Sequence, residues 1–203
     1  ALAEAEIEYA DDPCDSIYVG FQVTKDNGAL AKAGIPAEKT RFVIWTTTTW
    51  TLPANVAICL GPDFDYVFVR VGDTYYVMAE ALVEATMADC DITEYEIVGA
   101  PVKGSELELI ETQHPFLDRK SLIILGDHVT LESGTGCVHT APGHGVEDFE
   151  VCQKFYPQLP IVVPVDDAGV LTAEAGQFAG LSVWDANPVI LKAIRESGHL
   201  LGT

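Results

Sequence analysis

The stretch YVFVRVGDTYYVM, Tyr66 to Met78, decides the fold class. Two runs of β-branched and aromatic residues flank Gly72-Asp73, a two-residue break suited to a tight hairpin in which glycine supplies the positive φ. Working outward, extended runs lie at Ile17 to Thr24, Arg41 to Thr48 and Val56 to Leu60 on one side. Ile92 to Val98, Ser121 to Leu125, Gly136 to Thr140 and Ile161 to Val165 lie on the other. Helical spacing is confined to Ala79 to Ala88, Val146 to Tyr156 and Pro188 to Glu196. Strand signals outnumber helical ones and no regular βαβ alternation appears. The reading is therefore an α+β domain built round a mixed, barrel-like β-sheet with short peripheral helices.

Composition sets the outer limits. The 203 residues are 48% apolar and 21% charged, with 31 acidic side chains against 11 basic ones and a formal charge of −20. So many apolar residues exclude disorder, and the absence of repeats excludes collagen and coiled coil. Residues 1 to 16, acidic and without periodicity, read as a linker or frayed end, and residues 17 to 203 as one domain large enough for a real core. No run reaches the roughly 18 apolar residues of a membrane helix, and the N-terminal segment is acidic where a signal peptide would be basic. The expectation is a cytoplasmic protein with no membrane partner. Cys14, Cys59, Cys90, Cys137 and Cys152 are widely spaced without a C-x-x-C pair, which points to reduced thiols. The strong negative charge argues against a free-standing nucleic-acid binder, which needs clustered Lys and Arg.

Two loops carry the candidate chemistry. In WTTTTWTLPAN, Trp45 to Asn55, four consecutive threonines on a strand put hydroxyls on both faces, between two tryptophans able to wall a small polar pocket. A run of threonines also suits a half-buried strand for its β-propensity alone. In GTGCVHTAPGHGVEDF, Gly134 to Phe149, His139 falls at a strand end, a glycine loop follows, and a helix opens near Gly145 with Glu147 and Asp148 in its first turn. There the helix dipole favours an ionised carboxylate, and His139 and Asp148 reach one rim. The plainer alternative is a core histidine and an acid that merely complements the dipole. Neither H-E-x-x-H nor C-x-x-C spacing supports a metal site, although Cys137, His139, His144, Glu147 and Asp148 are potential ligands. The loop also matches neither phosphate-binding glycine motif, and G-x-S-x-G is absent. Turn chemistry accounts for PVDDAG at 164 to 169, and HPF at 114 to 116 reads as a loop that packs Phe116 inward.

In this order the segments resemble the editing (connective-peptide) domain of isoleucyl-tRNA synthetase, a class I aminoacyl-tRNA synthetase. Trp45 to Asn55 is similar to the family's W-T-T-T-P-W-T-L-P-A-N, and Gly134 to Asp148 to its G-T-G-x-V-H-T-A-P-G-H-G-x-x-D. HPF at 114, GDHVT at 126 to 130, PVDDAG at 164 and FAGLSVWDAN at 178 to 187 follow in the expected order. The likeness runs from about Ile17 to the end. One position departs: Thr49 stands where the family has proline, which loosens the expected loop while leaving the hydroxyls of Thr46, Thr47 and Thr48 in place.

The resemblance implies a hydrolytic proofreading site that cleaves valine from mischarged tRNA(Ile), and also valyl-adenylate, with a positioned water and no covalent intermediate. One methylene is worth only about 1–3 kcal/mol in an apolar pocket, a limit for which this amino-acid pair is the standard example. On this basis Asp148 holds the α-ammonium and His139 borders the side-chain pocket. Trp45, Thr46, Thr47 and Thr48 line the strand side, with Thr47, Thr48, His139 and Asp148 as the catalytic set. The implied partners are the valine-bearing acceptor end of tRNA(Ile) and the remainder of the synthetase chain. The domain needs no cofactor or metal, since ATP and Mg belong to the parent enzyme, whose H-I-G-H and K-M-S-K-S elements are not in this sequence. Two other readings stay open: a non-hydrolysing aminoacyl-adenosine or amino-acid binding module of the same fold, and a metal-dependent hydrolase using His139, His144 and Asp148.

Overall fold

The computed structural model describes residues 16–202. The acidic segment expected as a linker, with Cys14, lies outside the described residues except for Ser16. The hairpin forms as the sequence predicts: β-strands Asp65–Val71 and Thr74–Ala79 pair in antiparallel register with Val71 opposite Thr74, and Gly72 takes φ +62°. Numbering strands along the chain, these are β4 and β5, after β1 (Ile17–Lys25), β2 (Thr40–Thr46) and β3 (Ala57–Leu60). Then come β6 (Glu96–Lys103), β7 (Glu111–Gln113), β8 (Lys120–Leu125), β9 (Cys137–Thr140) and β10 (Leu200–Gly202).

The strands form one mixed sheet in the order β6-β4-β5-β2-β1-β7-β8-β3-β9, with β10 also on β1. The pairs β2/β5 and β3/β8 are parallel and the remaining pairs antiparallel. This confirms the mixed sheet but corrects the barrel-like expectation, because the hydrogen-bonded ladder ends at β6 and β9 without closing. Strand β6 is unsuited to a further neighbour: Pro101 has no N–H to offer, Gly99 takes φ +76°, and the register slips between Tyr66 and Phe68 of β4. At the other end, the loop before β9 returns to β5 through a bond from Ala79 N–H to the Thr135 carbonyl (2.8 Å).

Strand β1 organises the core because it has neighbours on both sides, β2 on one and β10 then β7 on the other. Its alternate residues Ile17, Val19, Phe21 and Val23 enter the main core with Phe42, Tyr66 and Phe68, and Tyr18 faces a second cluster with Val43, Val67 and Met78. Each such large side chain contributes about 1.5–3 kcal/mol of burial. Short helices cover the sheet: α1 (Ala29–Lys32), α2 (Val83–Asp89), α3 (Val146–Phe155) and α4 (Val183–Glu196).

Several elements depart from the sequence reading. Helix α4 begins before Pro188, because Ser182 caps it by accepting the Asp185 N–H (3.1 Å) and Ala186, Ile190 and Ile194 bury one face at i, i+4, i+8. Strand β6 starts at Glu96 rather than Ile92, and Ile161 to Val165 forms only the single bridge Val165–Leu171. The three-residue strands β7 and β10 are too short to show a periodicity. Most relevant to the site, β2 stops at Thr46, so the four threonines do not share one strand; Thr49–Ala54 forms a 3-10 turn.

Candidate functional site

Where β2 ends, the chain folds back on itself. Thr46 is buried, and its Oγ1 accepts the Thr48 N–H (3.0 Å), a local bond that bends the backbone out of the sheet. The Thr48 carbonyl then accepts both the N–H (3.1 Å) and the Oγ1–H (2.7 Å) of Thr51. Thr49 is the first residue of the 3-10 turn, a place where proline is at home. The turn is also clamped from behind. His114 Nε2–H donates to the Leu52 carbonyl (2.7 Å), and Arg119 donates to the carbonyls of Pro53 and Asn55. His114 Nδ1 in turn accepts the N–H groups of Phe116 and Leu117, so its ring is neutral with the proton on Nε2; burial pushes its pKa down to about 3. The HPF loop thus does more than pack Phe116. It holds the wall that carries the threonines.

A second chain of bonds fixes His139. On β9, opposite Ile58 of β3, it receives the Asn55 Nδ2–H at Nδ1 (2.8 Å) and faces Thr51 Oγ1 with Nε2 (2.9 Å). Asn55 also donates to the Ala57 carbonyl (3.0 Å), and its Oδ1 accepts the Ser121 hydroxyl (2.6 Å). One assignment satisfies every member: Ser121 to Asn55, Asn55 to Nδ1, Nε2–H to Thr51, and Thr51 to the Thr48 carbonyl. Burial, helped by His144 nearby, pushes the His139 pKa down to about 4. It is a neutral imidazole with both nitrogens occupied.

The G-T-G segment brings the opposite wall in. Gly134 and Gly136 both have φ +80°; a Cβ on Gly134 would sit 3.1 Å from the Trp45 ring, and one on Gly136 2.6 Å from Ala79. Between them, buried Thr135 donates its hydroxyl to the Val43 carbonyl of β2 (2.6 Å). These contacts enclose a hollow of about 320 Å³, with Trp45, Thr46 and Thr47 on one side and His128, Glu147 and Val138 among its other linings. Thr47 is exposed and Thr48 half-buried.

Asp148 lies in the first turn of α3, as expected, but it is not on the wall of this hollow. Its Oδ2 accepts the Ala141 N–H (3.0 Å), and its Oδ1 lies 3.8 Å from His128 Nε2, which is on that wall. The helix dipole and the Ala141 bond favour the ionised form, yet partial burial outweighs them and the net pKa shift is upward. His144 stacks edge-on against Trp50, with ring centroids 5.2 Å apart. Among the described residues no three His, Cys, Asp or Glu side chains converge as a metal-binding group, and no helix is long and apolar enough to cross a membrane. Cys59, Cys90, Cys137 and Cys152 are free and buried.

The structure thus brings Trp45, Thr46 and Thr47 to one hollow, ties Thr48 to His139 through Thr51, and reaches Asp148 through His128. The sequence reading missed Thr51, Asn55, Ser121, Arg119 and His128. Thr51 and Asn55 lie in W-T-L-P-A-N and His128 in G-D-H-V-T, while Arg119 and Ser121 follow H-P-F; none has a spacing that assigns it a partner.

No family model matches the chain. Curated sequences do. The chain is 55% identical over 202 residues to the isoleucine–tRNA ligase of Caldicellulosiruptor saccharolyticus, covering all of this chain and 22% of that protein. It is 52% identical over 205 residues to the ligase of the same name from Macrococcus caseolyticus, covering 99% of this chain and 21% of that protein. The chain therefore spans about a fifth of the length of these relatives. Among solved structures, the CP1 domain of a leucyl-tRNA synthetase, GlLeuRS-CP1, superposes with a TM-score of 0.75 at 13% identity, covering 92% of this chain and 97% of that one. The cytosolic leucyl-tRNA synthetase editing domain of P. knowlesi gives 0.69 at 10% identity, covering 92% and 95%. At such low identity these likenesses establish the fold, and the curated sequences show what the chain is similar to over its whole length: it has the fold of a synthetase editing domain and matches a segment of isoleucine–tRNA ligases.

Proposed function

We propose that this domain hydrolyses the ester of valine misplaced on tRNA(Ile), and also valyl-adenylate, while excluding isoleucine by size. The observation that carries the reading is the hollow of about 320 Å³ between the threonine loop and the G-T-G segment, in a chain so similar to isoleucine–tRNA ligases. Each of its walls is pinned to the sheet, and a sieve needs walls that do not yield to one extra methylene.

In this reading Trp45 and Thr46 form the wall, the hydroxyls of Thr47 and Thr48 hold the ester and the attacking water, and Asp148 receives the α-ammonium. His139 acts as a neutral, immobile border rather than as a base, because both of its nitrogens are engaged. Rate then comes from positioning the water and from hydrogen bonds to the developing oxyanion, with no covalent enzyme intermediate. The domain uses no cofactor of its own; ATP and Mg serve the parent ligase. It works in the cytoplasm within the ligase chain. The tRNA body is held elsewhere, so a domain within a chain of net charge −20 has only to admit the single-stranded acceptor end.

The test uses preformed Val-tRNA(Ile) and Ile-tRNA(Ile) with the full ligase chain and no ATP. The valyl ester is expected to be cleaved at least about tenfold faster, since one methylene of 1–3 kcal/mol corresponds to that order. Equal rates on the two esters overturn the sieve, and binding of a non-hydrolysable valyl-adenosine without cleavage of either ester makes the domain a binding module.

A further inference from the structure

We propose that His128 is a substrate-contacting residue of this site, its ring nitrogen sharing the α-ammonium of the aminoacyl ester with Asp148. The inference rests on the editing reading above and adds a residue to it.

Four observations lead there. Both ring nitrogens of His128 are buried and neither has a hydrogen-bond partner among the described residues, in contrast to His139 and His114, whose rings are fully engaged. A buried polar atom without a protein partner is rare and marks a place where something else supplies one. The imidazole lines the hollow shared with Trp45, Thr46 and Thr47, and also an adjoining cleft of about 500 Å³ bordered by Glu108 and Tyr156. Third, Asp148 divides its oxygens: Oδ2 is taken by the Ala141 N–H, while Oδ1 lies 3.8 Å from His128 Nε2. Finally, the ring has been given room, because a Cβ on Gly126 would lie 2.9 Å from both His128 Cε1 and Nδ1.

A separation of 3.8 Å is too long for a good hydrogen bond between the two side chains but short enough for one donor to serve both. Acceptors 3.8 Å apart are both within reach of one ammonium nitrogen about 2.9 Å from each. One of its protons goes to the carboxylate and another to the lone pair of a ring nitrogen, leaving the third for the pocket. The ligand class is therefore an α-amino acyl ester; its α-hydroxy counterpart has one donor, which the carboxylate takes, and leaves His128 without one.

The experiment compares two preformed esters on tRNA(Ile) with the full ligase chain: the valyl ester and its α-hydroxy counterpart, 2-hydroxy-3-methylbutyryl-tRNA. His128→Leu is expected to lower kcat/KM for the valyl ester about 10- to 100-fold while changing the hydroxy ester less than about threefold. His128→Gln, which retains an acceptor, recovers most of the loss on the valyl ester. Equal loss on both esters, with no rescue by glutamine, makes His128 a structural residue and overturns the inference while leaving the editing reading intact. A wild-type chain that cleaves neither ester overturns the editing reading itself, and this inference with it.

Discussion

The turn at residues 46–55, together with the His139 bound to it, and the cluster of His128, His144 and Asp148 treat their polar groups differently. On the threonine side the backbone turn is satisfied from within and behind. Thr51 caps the Thr48 carbonyl, His114 and Arg119 hold those of Leu52, Pro53 and Asn55, and Ser121, Asn55 and His139 complete a closed series of bonds. On the opposite side, His128 has neither nitrogen engaged, His144 Nε2 has no hydrogen-bond partner among the described residues, and Asp148 has one oxygen on a backbone amide. The difference teaches a division of labour. A wall whose backbone turn is bonded from within and behind resists deformation and can select by size, whereas uncommitted side-chain atoms can exchange bonds with a ligand.

The most damaging way to test this contrast is to remove the acid from the open side. Asp148→Ala in the full ligase chain is expected to slow deacylation of Val-tRNA(Ile) by about 10- to 150-fold, the value of one charged hydrogen bond at 1.5–3 kcal/mol. Turnover like wild type would reduce Asp148 to a support for the Ala141 amide.

On the clamped side the expected loss is one of stability. Arg119→Ala strips a charged donor from the carbonyls of Pro53 and Asn55 and is expected to cost about 2–3 kcal/mol, read as a lower urea midpoint. A midpoint unchanged in this variant would mean that the turn holds itself.

The same wall makes stability sensitive to acid. His114 and His139 keep pKa values of about 3 and about 4 in the folded chain, below the ordinary value near 6.5 that they regain on unfolding. Between those limits the unfolded chain binds more protons, so the contribution is complete above about pH 6.5 and declines as pH falls. At pH 5 each histidine accounts for about 2 kcal/mol of loss relative to pH 7. Comparing unfolding at the two pH values in wild type and in His114→Gln isolates one share, because the carboxylates common to both chains cancel in the difference. Identical pH slopes would show that His114 already charges in the folded state.

The smallest effect concerns Thr49. Because the turn is pinned by its neighbours, Thr49→Pro is expected to change stability by less than about 1 kcal/mol and to leave the preference for valyl over isoleucyl ester unchanged. A large gain in either would mean that the threonine had loosened the loop.

The hairpin at Tyr66 to Met78 was legible because a run of β-branched and aromatic residues on each side of Gly72-Asp73 is a local property of the chain, and the placement of Asp148 in the first turn of α3 was legible for a similar reason. The end of β2 at Thr46 was not. Four threonines have the same β-propensity at each position, and what stops the strand is a bond from Thr46 to an amide two residues on, supported by His114 and Arg119 from another strand pair. Nor could any spacing tell His128 from His139. His128 follows an apparent strand and His139 ends one, and only the fold shows that Asn55 and Thr51 occupy one ring while the other is left beside Asp148. Its helices were misjudged where a cap outweighed a proline, as at Ser182 and Pro188.

Alternating side chains, turn glycines and the two loop signatures determined by themselves that this chain makes a mixed sheet with short helices and where along it the polar residues cluster. Such features depend on neighbours within a few positions. The open edges of the sheet, the clamp behind the threonines and the free imidazole were decided by tertiary structure. They depend on which hydrogen-bonding groups, as many as 92 residues apart, are carried into the same dry space and find each other there.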